Sequence, residues 1–316
     1  MSSTLTAAVV QTATVLFDTP ATVERALCLM GEAAKRGAQL LVFPEAFIGG
    51  YPKGADFHIY LGGRTPEGRD EFRRYHEAAV TMDGPELAQL AKAAIRHKLY
   101  CVVGIIERDG GTLYCTAVYL GPDGVLGKHR KLMPTALERL VWGFGDGSTL
   151  AAVDTPFGKL GAVICWENYM PALRMAMYQQ RVAIYCAPTA DDRDTWAGTM
   201  RHIALEGRCF VLTACQHLRR SQFPADMHNR LPDSADGVLM RGGSMIIDPL
   251  GKVLAGPVFN EDALLTAELD LSLIPMGQMD FDAVGHYARP DVFSLHVNTA
   301  PQQAVTLDGG ASGDRG

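Results

Sequence analysis

The segment Leu160-Gly161-Ala162-Val163-Ile164-Cys165-Trp166-Glu167-Asn168 is the most informative part of the chain. Residues 160–164 form an apolar run that predicts a buried strand, and Cys165 follows at its carboxyl end, where we expect the chain to turn into a helix. A thiol at such a position is held rigidly, and the amides that begin a helix can lower its pKa and favour the nucleophilic thiolate. Cysteine is often an inert core residue, so its position alone does not indicate an active site. Other polar groups at the ends of strands are needed to support a catalytic role.

Two further polar residues stand just beyond strand-like segments. Glu45 follows the run of residues 39–44, and Lys131 follows the run 117–120 and the turn 121–124. An arbitrary glutamate or lysine is usually on the surface, and the basic residues 128–131 are alternatively a solvated turn. We instead expect Lys131 to point inward while its neighbours make other contacts. An acid, an amine and a thiol in equivalent positions make a candidate Glu-Lys-Cys site.

The local sequences around these residues resemble those of the nitrilase superfamily. They are Phe43-Pro44-Glu45-Ala46-Phe47, His129-Arg130-Lys131-Leu132-Met133-Pro134-Thr135 and Cys165-Trp166-Glu167-Asn168, and they follow the family's order along the chain. The similarity extends from about residue 7 to about residue 297. The chain resembles the nitrilase branch in particular, because amidases more often carry Tyr-Asp after the cysteine. Residues 138–148 and 286–291 are also similar to nitrilases.

Strand-like and helix-like segments alternate along the chain, which predicts an α/β fold around a mixed sheet. Periodicity alone does not select the architecture. The resemblance implies a four-layer αββα sandwich in a single domain, and we expect it to cover residues 1–298 with a C-terminal extension for subunit contacts. Residues 299–316 are rich in Gly, Gln and Asp, which predicts a disordered tail.

The resemblance implies nitrile hydrolysis, which requires a strong nucleophile, a base and a positive charge. Cys165 would form a thioimidate, Glu45 would be the general base, and Lys131 would stabilise the developing nitrogen anion. One water would then release ammonia, and a second would convert the thioester to a carboxylic acid. The resemblance places Glu138 near the thiol, where it would hold Lys131 or position water, although a surface helix acid is the alternative. We interpret Glu167 as a structural residue that hydrogen-bonds at the turn.

Residues just beyond motifs or strand ends are candidates for the walls of a substrate-binding pocket. They are Tyr51, Trp142, Trp166, Pro188 and Thr189. Aromatic side chains are more often ordinary core residues, and this alternative stays open for the aromatic members of the set.

Composition limits the other functions of the chain. Of its 316 residues, 47% are hydrophobic and 20% are charged, which is typical of a soluble globular protein, and the net charge of −6 argues against nucleic-acid binding. No apolar stretch approaches membrane-spanning length, and the N-terminus resembles a first strand rather than a signal peptide. The seven cysteines are odd in number without a CxxC pair, which favours a reducing cytoplasm. No metal-ligand spacing or cofactor motif is present, so we expect water as the only cosubstrate.

Several alternatives share parts of this pattern. A relative that stops at the amide or acts on cyanide would keep the Glu-Lys-Cys site. A carbon-nitrogen amidase is disfavoured by residues 166–168, and a catalytically silent scaffold is disfavoured because all three site residues are present. Residues 53–74 are polar and Gly-rich, and residues 217–241 form a long, loop-like segment. Solvated surface is the alternative for both, but such insertions build subunit contacts in nitrilases. We therefore expect a homo-oligomer based on a dimer, which can extend into a spiral.

Overall fold

Two β-sheets form the centre of the protein in the computed structural model, which describes residues 4–232 and 237–305. The first sheet contains β1 (Thr4–Gln11), β2 (Leu40–Val42), β3 (Tyr100–Asp109), β4 (Thr112–Gly121), β5 (Gly124–Arg130) and β13 (Ala263–Asp270), in the spatial order β13-β1-β2-β3-β4-β5. The second contains β6 (Val153–Thr155), β7 (Gly158–Ala162), β8 (Val182–Thr189), β9 (Phe210–Cys215), β10 (His217–Arg219) and β11 (Val238–Ile247), in the order β10-β11-β9-β8-β7-β6, and β12 (Val253–Phe259) pairs with β11. Strands β1, β2 and β3 are parallel, as are β7, β8 and β9.

Helices cover the outer faces of both sheets. Those in the described residues are α1 (Thr19–Lys35), α2 (Pro66–Ala78), α3 (Pro85–His97), α4 (Pro171–Gln179), α5 (Asp194–Gly207) and α6 (Leu273–Asp280). Helices α1 and α3 pack on the first sheet, and α4 and α5 pack on the second. A proline lies at the start of α1, α2, α3 and α4, where its missing N–H would have had no intrahelical acceptor. None of the described helices is long and apolar enough to cross a membrane.

The alternation of side chains along the strands divides the core into layers. Leu40 and Val42 face the second sheet, whereas Leu41 packs against α1 and α3. In the second sheet Ile184 faces the centre and Tyr185 faces the outer helices. The two sheets and the outer helices therefore form the layers of an αββα sandwich, and the predicted fold class is confirmed.

Both segments that break the predicted alternation, residues 53–74 and 217–241, contain regular structure at their ends, so the loop-like assignment of residues 217–241 is wrong there. Helix α2 begins inside the first segment, because Thr65 Oγ1 accepts from Gly68 N at 3.1 Å and Pro66 starts the helix. The second segment contains β10 and the start of β11. Polar composition concealed these elements, since much of the surface of α2 is exposed to solvent.

The structure describes only the first seven residues, 299–305, of the tail that the sequence predicts to be disordered. Residues 299–305 form neither helix nor strand, and Gln302 N donates to Asp146 Oδ2 at 2.8 Å. Residues 306–316 of the predicted tail lie outside the described residues.

Candidate active site

The residues Glu45, Lys131 and Cys165 come from different sheets and lie between them. Glu45 follows β2 and Lys131 directly follows β5, so both belong to the first sheet, whereas Cys165 follows β7 in the second. All three side chains are buried. The geometry of this site therefore depends on how the two sheets are held relative to each other.

The alternation of β5 explains how one basic run supplies a buried lysine. Lys128 and Arg130 lie on one face of the strand, where they pair with Glu107 at 2.5 and 2.6 Å. His129 and Lys131 alternate with them and are buried. The structure thus places Lys131 inward, as the sequence predicts. Strand β5 itself was not predicted, because its charged residues conceal the apolar alternation.

Lys131 bridges two carboxylates. Its Nζ donates to Glu45 Oε1 at 2.6 Å and to Glu138 Oε2 at 2.7 Å. Burial alone would lower the pKa of this ammonium, but the neighbouring Glu45 carboxylate, followed by Cys165 and Glu138, raises the pKa well above its ordinary range. Lys131 is therefore a fixed positive charge at the centre of the site.

Glu45 keeps one carboxylate oxygen free. Oε1 accepts from Lys131 and, at 3.5 Å, from the Cys115 thiol, whereas Oε2 has no hydrogen-bond partner among the described residues. Burial raises the pKa of Glu45, and the charge of Glu138 raises it further. Lys131 and, to a smaller extent, the Cys165 thiol lower this pKa, but the net result is an increase. A raised pKa makes the carboxylate a stronger base.

Glu138 is the second acid beside Lys131. It lies in a short 3-10 turn (Ala136–Leu140), and its Oε2 also accepts from Thr135 N at 2.6 Å. Tyr51 OH donates to Oε1 at 2.7 Å. Burial and the charge of Glu138 raise the pKa of Tyr51 well above its ordinary range, so the phenol remains a donor. Three donors therefore fix the orientation of Glu138.

Cys165 lies on a strained turn at the end of the strand segment. Its φ of +51° is in the left-handed region, which is unfavourable for a residue with a side chain, and it begins a 3-10 turn (Cys165–Tyr169) before α4. Asn168 Nδ2 donates to the carbonyl oxygens of Cys165 at 2.8 Å and of Val163 at 2.9 Å. These bonds stabilise a conformation that projects the thiol from the sheet, as in other strand-to-helix nucleophile turns.

The pKa of the Cys165 thiol is not lowered overall in the resting site, although amides at the start of a helix can lower a thiol pKa. Burial, followed by the charge of Glu45, raises the pKa of Cys165 above the ordinary range. Lys131 and the Thr189 hydroxyl, which donates to Sγ at 3.2 Å, lower it only in part. A 3-10 turn of five residues aligns few peptide dipoles, so its contribution is small. The raised pKa keeps the Cys165 thiol protonated in the resting site.

Two of the predicted wall residues, Tyr51 and Trp142, line a cavity next to Glu138. The cavity has a volume of about 400 Å³, and the two rings lie 5.7 Å apart. Most of its other lining is apolar and includes Phe57, Leu137, Leu140, Val141 and Leu231. Larger cavities of about 810 and 1040 Å³ lie elsewhere and contain none of the predicted site residues.

The other three predicted wall residues do not line this cavity. Thr189, at the end of β8, donates its hydroxyl to Cys165 Sγ. Pro188 is buried in β8 opposite Ala214 of β9. Trp166 is partly exposed, and its Nε1 donates to Asp191 Oδ2 at 2.8 Å.

Two residues at the site were missed by sequence reasoning. Cys115 on β4 contacts the Glu45 carboxylate, and Gln216 Nε2 donates to the Glu45 carbonyl at 3.2 Å while its Oε1 accepts from Thr14 N at 3.0 Å. Neither belongs to a local motif. Only the pairing and facing of the strands brings them to the base.

Known proteins show the same family relationship. The chain matches the carbon-nitrogen hydrolase family over residues 6–275. It is 64% identical over 299 residues to an aliphatic nitrilase from Sinorhizobium fredii (strain HH103), with 95% of this chain and 97% of that protein covered. It is 55% identical over 313 residues to the bifunctional nitrilase/nitrile hydratase NIT4A from Lupinus angustifolius, with 96% and 89% covered. Among solved structures, Saccharomyces cerevisiae Nit3, a member of branch 10 of the nitrilase superfamily, matches with a TM-score of 0.70 at 23% identity, with 91% of this chain and 97% of that chain covered.

With its sandwich fold and family match, the chain belongs to the carbon-nitrogen hydrolase family. Its high identity to proteins named nitrilases, over nearly its whole length, places it in the nitrilase branch of that family. The resemblance seen in the three local sequences is thereby confirmed.

Proposed function

We propose that this protein is a nitrilase that converts an organic nitrile to a carboxylic acid and ammonia, with Cys165 as its nucleophile. One observation carries the proposal. A buried thiol, a carboxylate with one free oxygen and a fixed ammonium lie together between the two sheets. The relatives named nitrilase support the same activity.

The first half of the reaction uses all three residues. Glu45 takes the proton of the Cys165 thiol on its free oxygen, and the thiolate forms a C–S bond with the nitrile carbon. One C–N π pair moves to nitrogen, where the charge of Lys131 stabilises it. Glu45 returns its proton to this nitrogen, which gives a neutral thioimidate and restores the carboxylate. Lys131 keeps its own proton because its pKa is raised.

The second half of the reaction consumes two waters. Glu45 takes one proton from the first water as the water oxygen bonds to the thioimidate carbon, and the C–N π pair moves to nitrogen, which receives that proton. The remaining O–H proton then passes to the same nitrogen through Glu45, the C–N bond breaks to release ammonia, and the oxygen forms the C=O bond of a thioester. A second water attacks the thioester in the same way, and the C–S bond breaks to release the acid and the thiol. Glu138, fixed by Tyr51 and Lys131, lies where it can orient these waters.

The cavity beside Glu138 indicates the part of the substrate that is not transformed. Its lining is mainly apolar, with the aromatic rings of Tyr51 and Trp142 nearest the charged residues. We therefore propose that the nitrile carries an apolar aliphatic or aromatic group of modest size.

Release of an amide is the second candidate outcome at the same site. Relatives from Lupinus angustifolius and Nicotiana tabacum are named bifunctional nitrilase/nitrile hydratases. After the first water has added, breakage of the C–N bond leads to acid and breakage of the C–S bond leads to amide. We propose the acid as the main product, because Lys131 and Glu45 together supply charge and a proton to the leaving nitrogen.

We also propose that the active form is a homo-oligomer built from dimers. Several large apolar side chains of the C-terminal segment are exposed: Tyr287, Val292, Phe293, Leu295 and Val297. Tyr169 after the nucleophile and Leu205 on α5 are also exposed. A second copy of the chain would remove this apolar surface from water.

We also propose a domain boundary and a cytoplasmic location for the protein. The folded unit is proposed to cover residues 1–298. All seven cysteines are free thiols, which suits a reducing cytoplasm.

A panel of aliphatic and aromatic nitriles tests the proposed activity, with ammonia, acid and amide measured separately. Cys165→Ala should release no ammonia. Cys101→Ala is the matched control, because it removes a buried thiol from the outer face of the first sheet and should retain activity. Turnover by Cys165→Ala would contradict the proposal, and hydrolysis of amides but not nitriles would favour an amidase.

A further inference from the structure

Glu167 is a buried carboxylate that joins the two sheets directly beside the catalytic residues. It lies in the 3-10 turn that begins at Cys165, and its side chain is fully buried. Oε2 accepts from the backbone N–H of Ile164, the residue before the nucleophile, at 2.9 Å. Oε1 accepts from the backbone N–H of Leu132, the residue after Lys131, at 2.6 Å.

His129 is the third donor to this carboxylate. Its Nε2 lies 3.3 Å from Oε1 and 3.1 Å from Oε2 of Glu167. Because an ionised carboxylate only accepts hydrogen bonds, Nε2 carries a proton. His129 is on β5, two residues before Lys131, and is buried. Two of the three bonds therefore hold the segment of Lys131, and the third holds the turn of Cys165.

We propose that Glu167 is a positioning residue that fixes the Cys165 thiol relative to the Lys131 ammonium and the Glu45 carboxylate. Other bonds cross between the sheets nearby, such as the one from Ala162 N to Tyr119 OH at 2.7 Å. The bond to Tyr119 involves no residue adjacent to Lys131 or Cys165. The Glu167 carboxylate, in contrast, accepts from Leu132, which is adjacent to Lys131, and from Ile164, which is adjacent to Cys165. The inference deepens the proposed function, because it explains how a site divided between two sheets keeps one geometry.

The charge and symmetry of the carboxylate are essential to this role. Each oxygen of Glu167 receives a backbone N–H from a different sheet. A glutamine of the same size would place an NH₂ group opposite one of those N–H groups, and two donors cannot bond to each other. Glu167→Gln therefore releases one side of the connection while the packing volume is preserved.

The proposed reaction requires the Cys165 thiol to be aligned with the Glu45 carboxylate and the Lys131 ammonium. Misplacement of reacting groups by about 1 Å can lower a rate on the order of 100-fold. We therefore expect Glu167→Gln to lower kcat about 100-fold while KM changes less than about threefold, because the substrate cavity beside Glu138 is not altered.

Thiol reactivity gives a readout that needs no nitrile. Iodoacetamide is added to the intact protein, and the alkylation rates of individual cysteines are followed by peptide mass spectrometry. The rate at Cys165 should fall in Glu167→Gln in parallel with kcat, whereas the rate at the exposed Cys28 should not change. If the parent enzyme fails to hydrolyse nitriles, this measurement still decides the positioning role separately from the proposed function.

Glu107→Gln is the matched control. Glu107 is another buried carboxylate, but its hydrogen bonds come from Thr116, Lys128 and Arg130, which all belong to the first sheet. We expect it to lower the melting temperature without changing kcat more than about threefold. A folded Glu167→Gln enzyme with parental kcat and Cys165 reactivity would overturn the proposal, and so would an equal loss of both in Glu107→Gln.

A pair of variants at His129 keeps the test decisive if Glu167→Gln does not fold. His129→Gln can still donate to Glu167 from a similar position, whereas His129→Leu cannot. Glutamine keeps a hydrogen bond to the charged carboxylate that leucine loses, so kcat and the Cys165 alkylation rate should both be at least about tenfold higher in the glutamine variant. Equal values of both in the two variants would show that the bond between Glu167 and β5 does not position Lys131 relative to Cys165, and would overturn the proposal.

Discussion

Replacement of Thr189 by valine tests how the site produces its thiolate. Thr189 Oγ1 donates to Cys165 Sγ at 3.2 Å, and the same oxygen accepts from Asp191 N at 2.9 Å, so the hydroxyl is held in place. Valine is similar in shape but has no donor. We expect the pKa of Cys165 to rise further in Thr189→Val, since the Thr189 bond lowers it in the parent protein.

The size of the effect follows from the change in charge on sulfur. A hydrogen bond to a charged group contributes about 1.5–3 kcal/mol, compared with roughly 1 kcal/mol for a neutral pair. Because the resting thiol is neutral and the attacking sulfur is anionic, most of the stabilisation is gained during attack. The difference of about 0.5–2 kcal/mol between the two states, at about 1.4 kcal/mol for each factor of ten, means that kcat should fall roughly 2- to 30-fold.

The assay compares kcat for acid and ammonia release in Thr189→Val and Thr189→Ser. Serine keeps the hydroxyl and its bonds to both partners, so it should retain most of the activity. Valine also leaves Asp191 N without its acceptor, and thermal unfolding is therefore measured on both variants. A folded Thr189→Val enzyme with the same kcat as Thr189→Ser would refute the reasoning.

Four further outcomes are expected. Cys165→Ser should be folded but severely impaired in ammonia release, because a hydroxyl ionises far less readily than a thiol. The pKa of Glu45 is raised above the ordinary 4.5, so kcat/KM should fall as the pH falls through that raised value, and an acid limb at or below 4.5 would exclude Glu45 as the base. Glu138→Gln removes a charge that raises the pKa of Glu45, so the acid limb should move to lower pH; an unmoved limb would show that the two acids are not coupled. Light scattering should give a mass above the 34.2 kDa of one chain, and Phe293→Asp should reduce it if the exposed C-terminal segment is an interface.

The parts of the site that could be predicted from the sequence are those encoded locally. Glu45 and Cys165 each follow a short apolar strand segment, so their position at the end of a buried strand is visible in the residues that precede them. The inward direction of Lys131 was expected from its place in the motif, but the strand that explains it, β5, was not predicted. The layered α/β class follows similarly from alternating strand-like and helical segments, whereas the αββα sandwich came from the resemblance.

The remaining features depend on contacts between distant segments. Glu167 is two residues from Cys165 in sequence, but its bond to Leu132 exists only because the sheets face each other. The raised pKa of the Cys165 thiol results mainly from burial and from Glu45, neither of which a local motif reveals. Helix α2 was not predicted for another reason. Its residues are mostly polar, so the cap at Thr65 was not recognised as the start of a helix.

Mass spectrometry of the enzyme, quenched with acid during turnover of a nitrile, tests the central claim most directly. A thioimidate adds the mass of the nitrile, and a thioester adds slightly more because oxygen replaces NH. We expect one of these adducts on the peptide that contains Cys165, and neither adduct nor turnover in Cys165→Ala. An adduct confined to another cysteine, or turnover retained by Cys165→Ala, would contradict this claim.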